Sequence, residues 1–296
     1  MRAPVPAYWW SPRRSVRTLA VELRQRSGSW LRTASPIGRA FTNHGDELNA
    51  VVLPELVGRP VRWAPLGREE LVGIGSVLVP YLAHGGRGMV LGSGDGSNTL
   101  GPDDIAPARD QVLAVRGPIV RAALGLHPDL PLGDPGLAVR GMGLGGRRRS
   151  GRLVIPHFQV YARPDHRAAL RALASAGYRV MGPTTHPLAM IDAISRAEFV
   201  VGSSLHGVIL SHALGTPTAH IAFDDSAPAM PGHKFRDHNA AVGVRDRIQP
   251  WRLLLDEARV GAVRAESDDD ARRVLPRIDE LVAGLHRAAA PLRSTH

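Results

Sequence analysis

The chain has 296 residues, 44% apolar and 22% charged, a balance that suits a globular protein with room for two ordinary domains. Cysteine is absent, which excludes disulfides and thiolate metal sites, and no apolar run reaches the roughly 18 residues a membrane-spanning helix needs. A net charge of +10 invites a nucleic-acid reading, but 36 of the 37 basic residues are scattered Arg, only Arg147-Arg148-Arg149 is compact, and aromatics are 5%. No nucleic-acid partner is therefore expected. Met1 to Ser35 is basic but lacks the apolar stretch of a signal peptide, so the expected location is cytoplasmic.

In chain order, Val5 to Trp10 reads as a first strand. Ser11 to Phe41 is Arg/Ser-rich, with a helical turn or two over Ser15 to Leu23. Asn43 suits a helix N-cap, Asp46 and Glu47 suit the positive end of that helix, and Ala50 to Val57 continues it until Gly58. Pro60 to Ala64, Leu71 to Ile74 and Gly88 to Leu91 are short β-type runs, and Gly92 to Gly96 is a Gly-rich loop. Gln111 to Val115 is a strand ending at Arg116, and Pro118 opens a helix that Gly125 ends. Gly133 to Gly136 is a turn. Gly141 to Gly151 has linker composition and separates an N-terminal α/β domain, residues 1–146, from a C-terminal one, residues 147–296.

The second half repeats the rhythm. Leu153 to Ile155 and Tyr178 to Met181 are strands, Pro164 to Ala176 and Pro187 to Arg196 helices. Phe199 to Val201, the turn Gly202-Ser203-Ser204, the segment Leu205 to Leu214 and the run Thr218 to Phe223 form one βαβ unit. Asp224 to Asn239 reads as irregular, and Trp251 to Val260 and Asp268 to Ala289 as helical. The fold class is α/β, two doubly wound domains facing a cleft, with ligands beyond the strand carboxyl ends.

That rule directs attention to Ser203, Ser204 and Gly207, where a strand-to-helix turn presents backbone N–H groups to an anion. His206, in the first helical turn, is available for proton transfer, although a capping or core histidine fits the position as well. Lys234 is the chain's single lysine, a compact donor that Arg cannot replace at a point contact, or else a chance survivor. Arg116 at a strand end suits a bidentate grip on carboxylate or phosphate, or a structural pair with Asp134. Asp46, Asp134 and Asp237 are carboxylates at element edges; Asp46 could take a proton from a sugar hydroxyl, or cap a helix. No histidine spacing suits a metal site, and neither a G-x-S-x-G elbow nor a Walker pattern is present.

The segment VVGSSLHGVILSHALGTP resembles the C-terminal signature of the polysaccharide pyruvyl transferases. NHGDELN is similar to that family's early N-x-G-D-x-L element, and GIGSVL with VLGSGDG to its Gly-Ser strand ends. VRGPIV and LGDPGL resemble its Arg-Gly and G-D-P segments, and KFRDH its late Lys-containing loop; together these cover roughly residues 43–240. The resemblance implies a GT-B-like pair of Rossmann-like domains. It implies transfer of pyruvate from phosphoenolpyruvate to hydroxyls of a polysaccharide or its lipid-linked precursor, forming a ketal, with no cofactor beyond that donor. Carried over, it makes His206 the catalytic or donor-contacting histidine; the chemistry of that reaction suggests His206 as general acid, with Asp46 or Asp134 as base. Arg116, Lys234, Ser203, Ser204, Gly207, Arg236, Asn43 and Gly94 become substrate-binding residues. The first domain becomes the acceptor side, the partner a saccharide that can be membrane-borne, and the oligomeric state stays open. Many members carry Arg where this chain has Ser204, so the missing cation falls to Arg116, Lys234 or Arg236. A nucleotide-sugar glycosyltransferase of the same fold is the main alternative, one that lacks an obvious stacking aromatic near Ser203 to Asp237. A non-catalytic polysaccharide-binding relative is the other.

Overall fold

The structure, a computed structural model, describes residues 3–33, 41–96, 98–143, 149–224 and 232–294. The expected domain boundary at 146/147 and two of the three clustered arginines, Arg147 and Arg148, lie outside them.

Ten strands form two five-stranded parallel sheets. The first holds β1 (Val5–Tyr8), β2 (Val61–Trp63), β3 (Leu71–Val72), β4 (Met89–Ser93) and β5 (Val112–Val115), in the order β2-β1-β3-β4-β5. The second holds β6 (Arg152–Ile155), β7 (Tyr178–Val180), β8 (Phe199–Gly202), β9 (Thr218–Ala222) and β10 (Ile248–Pro250), in the order β10-β9-β8-β6-β7. Two parallel sheets with alternating helices are consistent with two Rossmann-like units. β8 is buried throughout because helices cover both faces of a parallel sheet, which is why its sequence is continuously apolar rather than alternating.

Each sheet has one point where the strand order reverses. In the first it lies between β1 and β3, and in the second between β6 and β8. Ligand crevices open beyond the strand carboxyl ends at such points. Trp9 and Trp10 follow β1 and Ser76 lies shortly after β3; His157 and Phe158 follow β6 and Ser203 to His206 follow β8.

The halves share one apolar core, which joins Leu53, Leu56 and Leu137 to Ile155, Ile209 and Leu285. The 3-10 helix Pro135–Met142 packs on both the helix Asn49–Val57 and the helix Leu205–Ala213. The C-terminal helix Leu275–Ala288 returns to the first sheet, where Leu281 and Leu285 crowd Gly133, and Arg293 Nε donates to Leu56 O at 2.8 Å. In the other direction, the helix Val16–Trp30 reaches the second half by stacking Trp30 on Phe158 with ring centroids 4.4 Å apart.

Four segments depart from expectation. Val16–Trp30 is a helix of 15 residues with a non-helical kink at Arg26, not a turn or two. The stretch expected to be irregular, Asp224 to Asn239, holds most of the helix His233–Val242, whose buried face mixes the polar His233, Asp237, His238 and Asn239 with Phe235, Ala241 and Val242 and so blurs the apolar period. β10 and the short helix Leu78–Ala83 were also not expected.

Candidate functional site

A cleft of about 820 Å³ opens between the two reversal points. It is lined by Trp10, Asn43, Asp46 and Ser76 from the first half and by His157, Phe158, Ser204, His206 and Lys234 from the second, with Arg26 at its edge. The βαβ turn, the Asn43 segment and Lys234 therefore converge as the sequence pattern suggests.

The turn after β8 is held from behind. Ser203 N and Ser204 N both donate to Ile155 O at 3.2 Å, so these two amides are spent on β6 rather than offered to an anion. Ser203 Oγ accepts from His157 N at 3.0 Å, which ties the loop after β6 to the loop after β8. At Gly207 a Cβ would come within 3.1 Å of the Ile155 side chain, so glycine there lets the helix sit directly on β6. Ser203 and Gly207 thus build the turn, and Ser204, the N-cap residue of its helix, faces the cleft. Ser204 Oγ also lies 3.5 Å from His44 Nε2.

His206 lies against Gly45, where any side chain would overlap the imidazole. Gly45 is fixed by Asn43, the N-cap, whose Oδ1 accepts from Gly45 N at 3.1 Å. His206 Nε2 lies 3.9 Å from Asp134 Oδ2, and neither atom has a hydrogen-bond partner among the described residues. Asp134 is fully buried and caps the 3-10 helix Pro135–Met142, its Oδ1 accepting from Gly136 N at 2.8 Å. Burial pushes the Asp134 carboxyl up to about 6, against the pull of Arg116. Burial, with His44, Arg116 and Lys234 nearby, holds His206 well below the ordinary imidazole range. His206 is therefore a neutral imidazole at pH 7, with a carboxylate behind it.

Asp46, half-buried at the cleft, is pushed up to about 8 by desolvation and by neighbouring Glu47, with Lys234 opposing. Lys234 is brought down to about 7, first by burial and then by Arg116. Lys234 stands in the first turn of the helix His233–Val242, not in a loop. That helix is anchored to the first half by Asp237, whose Oδ1 accepts from Ile119 N at 2.9 Å and Val120 N at 3.0 Å. A second anchor is His233 Nε2, 3.0 Å from Asp95 O.

Arg116 lies behind the cleft wall and is wholly buried. Its Nε is 3.4 Å from Asp237 Oδ2, and its Nη1 donates to Ser76 Oγ, a cleft residue, at 3.1 Å. Asp134 shifts under its charge, but Asp237 is its ion-pair partner. Gly94 serves Arg116, because a Cβ there would overlap the guanidinium. Arg236 is exposed on the outer side of its helix and does not line the cleft.

Several cleft residues escaped the sequence reading. Arg26 donates to Glu22 at 2.7 Å and lies 5.7 Å over the Phe158 ring. It brings a cation to the cleft that Ser204 overlooks. Trp10, Trp30 and Phe158 form a continuous stack, with Trp10 and Trp30 centroids 5.5 Å apart. The sequence reading saw no obvious stacking aromatic near Ser203 to Asp237; the aromatics that line the cleft, Trp10 and Phe158, come from elsewhere in the chain. Their signal was positional, since His157, Phe158 and Trp10 each follow a strand at a reversal point. Arg26 carried no such signal.

Comparison with known proteins bears on this same region. Residues 151–225, from β6 through β9, match the family model "Polysaccharide pyruvyl transferase". Over that segment the chain is similar to this family. It is also 30% identical over 211 residues to the succinoglycan biosynthesis protein ExoV of Rhizobium meliloti (strain 1021), an alignment covering 69% of this chain and 63% of that protein. The chain thus spans less than two thirds of that relative's length. No helix among the described residues is long and apolar enough to cross a membrane.

Proposed function

We propose that the protein transfers the pyruvyl group of phosphoenolpyruvate to two hydroxyls of a saccharide, in a GT-B-like cleft. The observation that carries this reading is the meeting of a protonated carboxyl, a neutral imidazole and cationic side chains in one cleft, on the segment that matches the family. The donor is a small, multiply charged anion. Lys234 and Arg26 supply point and planar contacts to it, and Arg116 adds a buried positive field through Ser76.

In the reaction C3 of the enolpyruvyl group takes up a proton, and C2 forms two C–O bonds to the sugar and breaks its bond to the phosphate oxygen. The two hydroxyl protons are lost, one balancing the proton taken up at C3 and the other leaving on the released phosphate. Asp46, held protonated at pH 7, suits the acid that protonates C3. His206, held neutral, suits the base that takes a hydroxyl proton, with Asp134 stabilising the imidazolium that results. This assignment reverses the roles the sequence suggested. Trp10 and Phe158 offer aromatic faces to a sugar ring.

The same aromatic faces support a second reading, a glycosyltransferase that stacks the base of a nucleotide sugar. Phosphate release from phosphoenolpyruvate with a panel of saccharides bearing adjacent free hydroxyls tests the first, alongside thermal shift with nucleotide sugars. Saccharide-dependent phosphate release is expected. Stabilisation by nucleotide sugars alone, with no phosphate released, would sink it.

A further inference from the structure

The helix Val16–Trp30 is amphipathic the wrong way round for a lone globular domain. Its inward side carries a polar network, in which Glu22, 2% exposed, accepts from Arg26 at 2.7 Å and from Trp30 Nε1 at 2.9 Å. Its outward side carries Val16, Ala20 and Leu23 at i, i+4 and i+7, one face of a helix. Val16 is 86% exposed, Leu23 43%, and Leu31 just past the helix end 73%.

Arginines flank this stripe. Arg13, Arg14, Arg17, Arg24 and Arg32 are exposed, and Glu22, the one acidic residue of segment 11–33, is buried. Arg13 and Arg14 pair with Glu47, at 2.8 and 4.0 Å, so Arg17, Arg24 and Arg32 carry most of the positive charge. Two copies of so cationic a face would repel each other. Apolar side chains framed by arginine suit instead the boundary of a bilayer with anionic headgroups, where the stripe enters the acyl edge and the guanidinium groups meet phosphate.

Beside the helix runs a groove of about 990 Å³, lined by Tyr8, Trp10, Trp63 and Leu66 on one side and Thr18 and Val21 on the other. Trp10 and Pro80 line both this groove and the cleft, so the two adjoin. We propose that the outward face of the helix Val16–Trp30 docks on an anionic lipid surface and holds a lipid-borne saccharide at the mouth of this groove. The saccharide part rests on the pyruvyl-transfer reading; the docking part does not.

The test is sedimentation of the full chain with phosphatidylcholine vesicles, with and without phosphatidylglycerol. Binding is expected only to the anionic vesicles, weakened by salt, and V16D/L23D should reduce it by at least about ten-fold. The melting temperature, and phosphate release with a water-soluble saccharide, should be unchanged, because both side chains are exposed and outside the cleft. Absent binding by the unmodified chain, or full binding by V16D/L23D, would overturn the proposal. So would an oligomer that V16D/L23D dissolves in light scattering, which would make this a face between copies. Vesicle binding is read without turnover, so failure of the docking and failure of the reaction are separate results.

Discussion

The two walls of the cleft are built by different means. The second-sheet wall is a rigid strand-turn-helix in which β6, β8 and their loops are laced together by Ile155 O, by Ser203 Oγ and by the seat at Gly207. The first-sheet wall is composite. Asp46 comes from a four-residue helix, Trp10 from a strand end, Arg26 from a kink, and Arg116 acts from behind Ser76. The laced wall presents the imidazole and the composite wall the acid, while the aromatic surface is divided between them, Phe158 on the laced wall and Trp10 on the composite one. The proposed catalysis needs both, and substitutions on each side should separate what is positioned from what is merely packed.

The largest effect is expected from His206→Ala, which removes the proposed base without touching the lacing of its wall. A loss of roughly 10²- to 10⁴-fold in kcat is the scale for a general base, measured as phosphate release at saturating donor. Near-normal turnover would return His206 to the role of a core histidine beside Asp134. On the opposite wall, Asp46→Asn should cost a comparable factor and also change the pH profile. With Asp46 at about 8, the acid form is lost as pH rises through that value, so activity should decline on the alkaline side. Linkage gives the same sign for stability. The folded chain keeps a proton there that the unfolded chain sheds in the ordinary carboxylate range, so this group's contribution falls as pH rises toward about 8. Asp46→Asn should flatten both slopes; an unchanged alkaline limb would assign it to another group, with Lys234 at about 7 the next candidate.

The difference between the walls also explains what could be read in advance. The second wall is contiguous in sequence: an apolar run, Gly202-Ser203-Ser204, an apolar helix and Gly215 announce a buried parallel βαβ unit, and its helix start names His206. The first wall is assembled by topology, and no local pattern links Trp10, Arg26, Asp46 and Ser76 before the strand order is known. Strand β3 has two residues, too short to show alternation, and the helix bearing Lys234 buries polar side chains, so periodicity misreads it as irregular. Lys234 was visible as the chain's single lysine and through the family likeness of KFRDH, not through any periodicity. The amides of Ser203 and Ser204 looked free because their acceptor, Ile155 O, lies on a strand nearly fifty residues earlier, paired in register with Gly202.

Lys234 bridges the walls, carried by a helix of the second half but anchored through Asp237 to the first. Lys234→Ala should raise the KM for phosphoenolpyruvate by roughly ten-fold or more, the scale of one charge-assisted contact, with a smaller change in kcat. Lys234→Arg should not restore it, because the longer planar fork does not fit a half-buried point contact. Full rescue by Arg would show that charge alone is required there. Bound donor should also raise the Lys234 pKa, so donor affinity should weaken as pH climbs above about 7, a trend that Lys234→Ala abolishes in calorimetry.

The smallest effect separates packing from binding most directly. Ser203, expected from the sequence to contact the donor, instead accepts from His157 N and is 7% exposed. Ser203→Ala removes that acceptor and leaves a backbone N–H unmatched at the seam between β6 and β8, which should lower the unfolding free energy by about 1 kcal/mol. The KM for phosphoenolpyruvate should move by less than about two-fold, since no donor contact is lost, only some order in the loop that carries His157 and Phe158. Denaturant unfolding and steady-state kinetics on the same preparation distinguish the two roles. Lower stability with unchanged KM makes Ser203 the stitch of the laced wall; unchanged stability with a large rise in KM makes it a donor ligand, and the turn after β8 would then open toward the anion further than its bonds to Ile155 allow.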